Sequence, residues 1–196
     1  MPIRPHKNPK PTKEELDAAK GKPLRDVVKP GIKILFVGIN PSLYSAAVGQ
    51  HFGRPGNRFW RVLHEAGCTR SQLRPEQQRL LLQQGIGITN VVNYATAKEE
   101  ELTDEQIRDG ARKLIDKVKR TKPRIVAILG KGVYARAFGT KAEWGRQAEA
   151  IDNAEIWVLP NPSGRSTLPV SRLIAMYAEL QDTSRAQSGQ RKQKVK

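Results

Sequence analysis

Short apolar runs alternate with amphipathic stretches along this chain. Ile32 to Val37 (IKILFV) is rich in branched residues and stops at Gly38, the pattern of a buried strand. Gly85 to Val92 (GIGITNVV), Arg124 to Leu129 (RIVAIL) and Glu155 to Leu159 (EIWVL) repeat it. Helical patterns lie between them. Thr12-Lys13-Glu14-Glu15 has capping-box spacing and opens a short helix to about Lys20. Asn57 can cap a helix to about Ala66, with Phe59, Val62 and Leu63 on one face, and Pro75 opens another to about Gln84. A second capping box, Thr103 to Gln106, starts a helix to about Arg120. Its apolar positions Ile107, Ala111, Leu114, Ile115 and Val118 are spaced by 4, 3, 1 and 3 and so share a face. Gly130 to Phe138 and Leu168 to Leu180 complete the helices. Strands alternating with helices predict an α/β fold, a single three-layer α/β/α sandwich around a mostly parallel central sheet. In such folds the site lies beyond the carboxyl ends of the strands.

The length of 196 residues fits one domain with tails. A basic, Pro-rich extension over 1–30, in part disordered with a short helix, precedes a domain over 31–182, and a disordered basic tail follows over 183–196. Neither end can bury enough apolar surface to offset its ordering entropy. Lys plus Arg is 35 against 19 Asp plus Glu, a formal net charge of +16. Such a field favours a polyanionic partner, nucleic acid before an anionic membrane surface. The tails read as non-specific phosphate contacts or as solvated charge. The lone cysteine, Cys68, cannot form an internal disulfide or a thiolate metal cluster, and reads as a small buried residue. No metal and no cofactor is expected. No stretch approaches the ~20 apolar residues of a membrane span, and no apolar segment follows the basic N-terminus. A cytoplasmic location is the expectation.

Two polar segments follow strands. The first is Gly38-Ile39-Asn40-Pro41-Ser42, at the head of a long loop that runs to Gly56. Pro41 fixes the chain and presents the Asn40 amide rigidly at a strand end. An amide can orient a water but is too weak a base to deprotonate it. The chemistry served must therefore need little nucleophile activation, as N-glycosidic cleavage through an oxocarbenium-like transition state does. Phe52, late in this loop, offers a face for a planar base, a contact worth ~1–3 kcal/mol. The second segment, Pro160 to Ser166, has two prolines, Gly164 and Arg165 near its tip. It could enter a DNA groove while a base is extruded. Gly130-Lys131-Gly132-Val133-Tyr134-Ala135 matches G-x-G-x-x-A with Asp152 downstream, a weak dinucleotide signature at the third strand rather than the first. Lys131 there could instead meet a DNA phosphate.

Together the segments resemble the mismatch-specific uracil-DNA glycosylases, bacterial relatives of the thymine-DNA glycosylases. Gly38-Ile39-Asn40-Pro41 is similar to the family's GINPG, with Ser42 for its last Gly. Asn161-Pro162-Ser163-Gly164-Arg165-Ser166 is similar to NPSGLS. Asn57-Arg58-Phe59-Trp60 and Ile128-Leu129-Gly130-Lys131 also resemble family segments, and the likeness spans about 31–182. It implies the uracil-DNA glycosylase fold. It implies that Asn40 positions the hydrolytic water, that Phe52 stacks on a flipped base, and that Ile39, Ser42 and Ser45 line the base pocket. It implies DNA contacts by Arg58, Lys131, Asn161, Ser163, Gly164 and Ser166. Arg165 stands where the family often has a Leu wedge, and Thr167 where a relative can have a guanine-reading Arg. Asn93 stands where several relatives have an acidic residue, and is kept as a second catalytic position. Asn40 and Asn161 separate the chain from classes that use an Asp–His pair, and His51 is given no catalytic role.

The resulting expectation is a monofunctional DNA-repair glycosylase. It flips uracil from duplex DNA, best opposite guanine, and leaves an abasic site. The range of other damaged pyrimidines is open. A monomer without membrane or obligate protein partner is expected. The alternatives are a non-catalytic DNA-binding α/β module and a nucleotide-dependent enzyme built on Gly130 to Ala135.

Overall fold

The computed structural model describes residues 10–164 and 166–193. Its sheet has five strands: β1 (Ile34–Gly38), β2 (Ile86–Asn90), β3 (Ile125–Leu129), β4 (Gly145–Ile151) and β5 (Ala154–Leu159), in the order β2-β1-β3-β5-β4. The first four in that order run parallel, and β4 is antiparallel at the edge. Every residue of β1, β2 and β3 is buried, which is why β1 and β3 read as unbroken apolar runs; β2 ends in Thr89 and Asn90, which are buried polar residues.

The helices are α1 (Lys13–Asp17), α2 (Leu43–Val48), α3 (Phe59–Glu65), α4 (Asp104–Thr121), α5 (Lys131–Phe138) and α6 (Val170–Gln193). Strand alternation assigns them to faces. Ile34 and Phe36 pack with Phe59, Val62 and Leu63 of α3 and with Leu173 and Tyr177 of α6. Leu35 and Val37 pack with Ile107, Ala111, Leu114 and Val118 of α4 and with Val133 and Tyr134 of α5. The α/β/α sandwich expected from the sequence is therefore present.

Several elements depart from expectation. β4 is an additional strand: its residues, GRQAEAI, are mostly exposed and show no apolar run because an edge strand buries little. Asp152, at φ 54°, makes the turn into β5. α2 sits inside the segment read as loop, with Ser42 capping it. Pro75–Gln84 is a three-ten helix with Leu81 as its one buried residue, too narrow an apolar stripe to anchor an α-helix.

The stretch before residue 31 is packed, not loose, from Ala19 onward. Ala19, Leu24 and Val27 are buried, and isolated bridges join Pro23 to Tyr94 and Val27 to Ile88. Asp26 clamps this arm. Its carboxylate accepts from Lys117 Nζ at 2.6 Å and from Thr89 Oγ1 at 2.5 Å, on α4 and β2. At the other end, α6 runs on past Leu180 through Gln193, and Ser184 is buried, so the residues read as a disordered tail are helical to that point. Residues 1–9 and 194–196 lie outside the described residues.

Candidate active site

A cleft of about 510 Å³ opens at the carboxyl ends of β1 and β2. Gly38 ends β1 with no side chain because Asn90 fills the space: a Cβ there would meet Asn90 Oδ1 at 2.6 Å. The loops after β1 and β2 meet through a bridge between Ser42 and Thr96. That contact sets the Asn40 amide. Asn40 Nδ2 donates to Thr96 Oγ1 at 2.7 Å and to Tyr94 O at 3.3 Å. Thr96 Oγ1 in turn donates to Lys98 O at 2.7 Å, so the hydroxyl can only accept from Asn40. Both partners are acceptors. The nitrogen must therefore face them, and Oδ1 is left as the amide's open acceptor.

Ser42 Oγ accepts from Ser45 N and donates to Ser45 Oγ, both at 3.2 Å, and Ser45 Oγ accepts from Gly53 N at 3.3 Å. The Ser45 amide is thus engaged as a helix cap, and the serine pair ties the two ends of the first loop together. Phe52 takes a left-handed backbone (φ 51°) and stacks on Phe59 with centroids 3.9 Å apart. It also lines the cleft, so the aromatic platform is backed by the core. His51 is buried. Its Nε2–H donates to Arg25 O at 3.0 Å, and burial pushes its pKa below the usual value, so the ring is neutral at pH 7.

The second loop is built against α3 and α6. Asn161 Oδ1 accepts from Ser163 N at 3.0 Å, and Tyr177 OH donates to Pro160 O at 3.1 Å. Asn161, Ser163 and Gly164 line the cleft, where Gly164 faces Gly56 of the first loop. Arg58, expected to contact DNA, is turned inward. Its guanidinium donates to Pro162 O, Ser163 O, Ser166 O and Leu168 O at 2.9–3.4 Å, so it is the strut of this loop. Arg58→Lys replaces a fork by a point donor that cannot reach four carbonyls. It is expected to cost about 2 kcal/mol and lower Tm by about 4–8 °C. An unchanged melting curve would show that the strut is dispensable.

Other expected residues are not gathered here. Lys131 pairs with Glu143 at 2.7 Å and lies over the Trp144 ring, outside the cleft. Asn93 is exposed and is not among the lining residues; Asn90 is the β2 side chain that reaches the cleft. Arg165 lies outside the described residues, and Thr167 is exposed. The glycine signature fails as a dinucleotide site. Gly130 follows β3 whereas Asp152 precedes β5, and those strands run parallel, so the two lie at opposite ends of the sheet. Cys68 is buried, and its thiol is pushed up to about 12 by that burial, which makes it inert. The sequence gives little signal for Asn90, Thr96 and the inward Arg58. Each acquires its part from a neighbour distant in the chain.

Among known folds, the chain is similar to the solution NMR structure of a protein from Methanosarcina acetivorans provisionally assigned as a uracil DNA glycosylase. The likeness has a TM-score of 0.54 and 23% identity, over 82% of this chain and 98% of that one. At that identity it speaks for the fold. The uracil DNA glycosylase superfamily profile matches residues 25–181, from the packed arm to the middle of α6. Since that match takes in both cleft loops and most of the chain, this protein belongs to the uracil DNA glycosylase superfamily.

Proposed function

We propose that this protein hydrolyses the N-glycosidic bond of uracil in duplex DNA, with uracil opposite guanine preferred, and leaves an abasic site. The carrying observation is the Asn40 amide, whose two donor contacts turn Oδ1 out as an acceptor in a cleft walled by Phe52. A flipped uracil stacks on Phe52 while Asn40 Oδ1 holds a water toward C1′. The C1′–N1 bond breaks as the water oxygen bonds to C1′, the base leaves as an anion, and the water's proton passes to solvent. No lysine nucleophile lies in either motif, so strand cleavage is not part of the reaction. Arg165 is assigned as the wedge that fills the vacated stack, and Asn161, Ser163, Gly164 and Ser166 as contacts to the opened strand. The test is a labelled duplex with one U opposite G, run beside U·A, T·G and single-stranded forms with enzyme in excess. Cleavage only after alkali, fastest for U·G, is the expected result. Equal rates on every uracil substrate would remove guanine preference. Binding without product would leave a non-catalytic DNA-binding module.

Asn93 enters this reading as a second catalytic position. Its side chain is outside the cleft lining, but it adjoins Tyr94, whose carbonyl orients Asn40. A carboxylate at 93 would act by charge on the oxocarbenium-like transition state. Asn93→Asp is expected to raise the single-turnover rate by up to about tenfold, about 1.4 kcal/mol. An unchanged or lower rate would take position 93 out of the catalytic set.

A further inference from the structure

The opposite end of the sheet carries a second hollow, of about 580 Å³. Lys29, Lys33, Arg70 and Arg185 line it with the amides of Gln83 and Gln181, and no carboxylate does. Lys33 and Gly85 immediately precede β1 and β2, whereas Gly38 and Asn90 end the same strands at the cleft. Five residue steps along each strand separate the two sets, about 16 Å of sheet before any loop is counted.

The cations here are open to a ligand. Lys29, Lys33 and Arg70 make no side-chain ion pair or hydrogen bond among the described residues. The Lys33 stem lies against Gly85, where a Cβ would meet its Cγ at 3.1 Å, which holds the base of the side chain while its ammonium stays in solvent. Arg185 is placed by donation to Gly67 O at 2.9 Å. Among the described residues, the acidic side chain paired with it is Asp182, 3.9 Å away and outside the lining. Gln181 and Arg185 both belong to α6. Beyond Asp182 the chain has no acidic residue but carries Arg191, Lys192, Lys194 and Lys196. The sequence beyond the hollow therefore adds only basic charge, which favours a polyanionic ligand.

We infer that this hollow binds the phosphodiester backbone of a second nucleic-acid segment while the cleft engages the first. The inference rests on the protein acting on DNA. It makes one molecule a bridge between two duplex segments, able to pass from one to the other without full release.

The test uses undamaged, labelled 12-base-pair duplex titrated against the full chain at low salt, for the parent and for the double variant Lys33→Glu/Arg70→Glu. The parent is expected to take a second duplex per protein molecule and the variant to stop at one. The second binding step of the parent should weaken steeply with salt, and the first step should have the same salt dependence in both proteins. Single-turnover excision from a short U·G duplex and the melting curve should be unchanged, which separates this site from the cleft and from misfolding. One duplex per molecule for both proteins would overturn the inference. So would a second site that takes tripolyphosphate, read as a Tm rise lost in the variant, but no duplex. Loss of the first binding phase as well would instead overturn the DNA reading itself.

Discussion

Replacing Asn40 by alanine is expected to slow single-turnover uracil excision by about a hundredfold to a thousandfold. Duplex affinity should stay within about twofold, since phosphate contacts dominate it. The effect follows from how the amide is held. Its nitrogen is held by Thr96 Oγ1 and Tyr94 O, and Pro41 restricts the backbone that carries it. The remaining oxygen is therefore a fixed acceptor, and a water bound to it has lost its rotational freedom before reaction begins. Alanine removes that acceptor and also leaves the Thr96 and Tyr94 oxygens without their donor. Stability should fall by about 1 kcal/mol for those lost bonds, far less than the barrier rises. Comparable excision by Asn40→Ala in a single-turnover assay would mean that another group places the water.

The largest stability effect is expected from Gly110→Ala. Alanine in a helix interior normally stabilises by about 1 kcal/mol relative to glycine. Here the sign reverses. Gly110 lies in α4 where it crosses the end of β2, and a Cβ would sit 2.5 Å from Val91 O and 3.0 Å from Val91 C. Both are backbone atoms that cannot rotate away, so either the helix or the strand end must move. Overpacking of that kind costs about 2–3 kcal/mol, a Tm fall of roughly 4–12 °C for a domain of this size. Val91 follows Asn90 directly, and its amide donates to Gly38 O at 2.8 Å. The displacement therefore enters the cleft, and excision should drop along with Tm. A variant that melts at or above the parent temperature would show that α4 is free to slide.

The parts legible in the sequence are those whose physics is local. The strands around Phe36 and Ala127 are buried on both faces and so are apolar at every position. The α4 start is written by Thr103 and Gln106, which cap each other in the structure as their spacing predicts. Asn57 Oδ1 accepts from Phe59 N at the head of α3, a contact across two residues. The two Asn-Pro segments were recognisable as strand-end loops for the same reason. β4 escaped because its partner β5, not its own composition, makes it a strand. The arm before residue 31 escaped because Ala19, Leu24 and Val27 are too dispersed to form a periodic face, and their burial depends on β2 and on the Asp26–Lys117 pair.

Local patterns in the chain therefore specify the layered α/β architecture, the order of its main elements, the two loops that wall the cleft and the residue types able to serve there. Periodicity, capping and proline restraint act over a few residues and leave their mark in the chain. Long-range packing sets which way the Asn40 amide faces, that Arg58 braces a loop instead of reaching outward, that Asn90 and not Asn93 enters the cleft, and that four cations gather at the far end of the sheet. Each of those depends on partners dozens of residues away. Their pairing follows from the closure of the sheet, which no local pattern encodes.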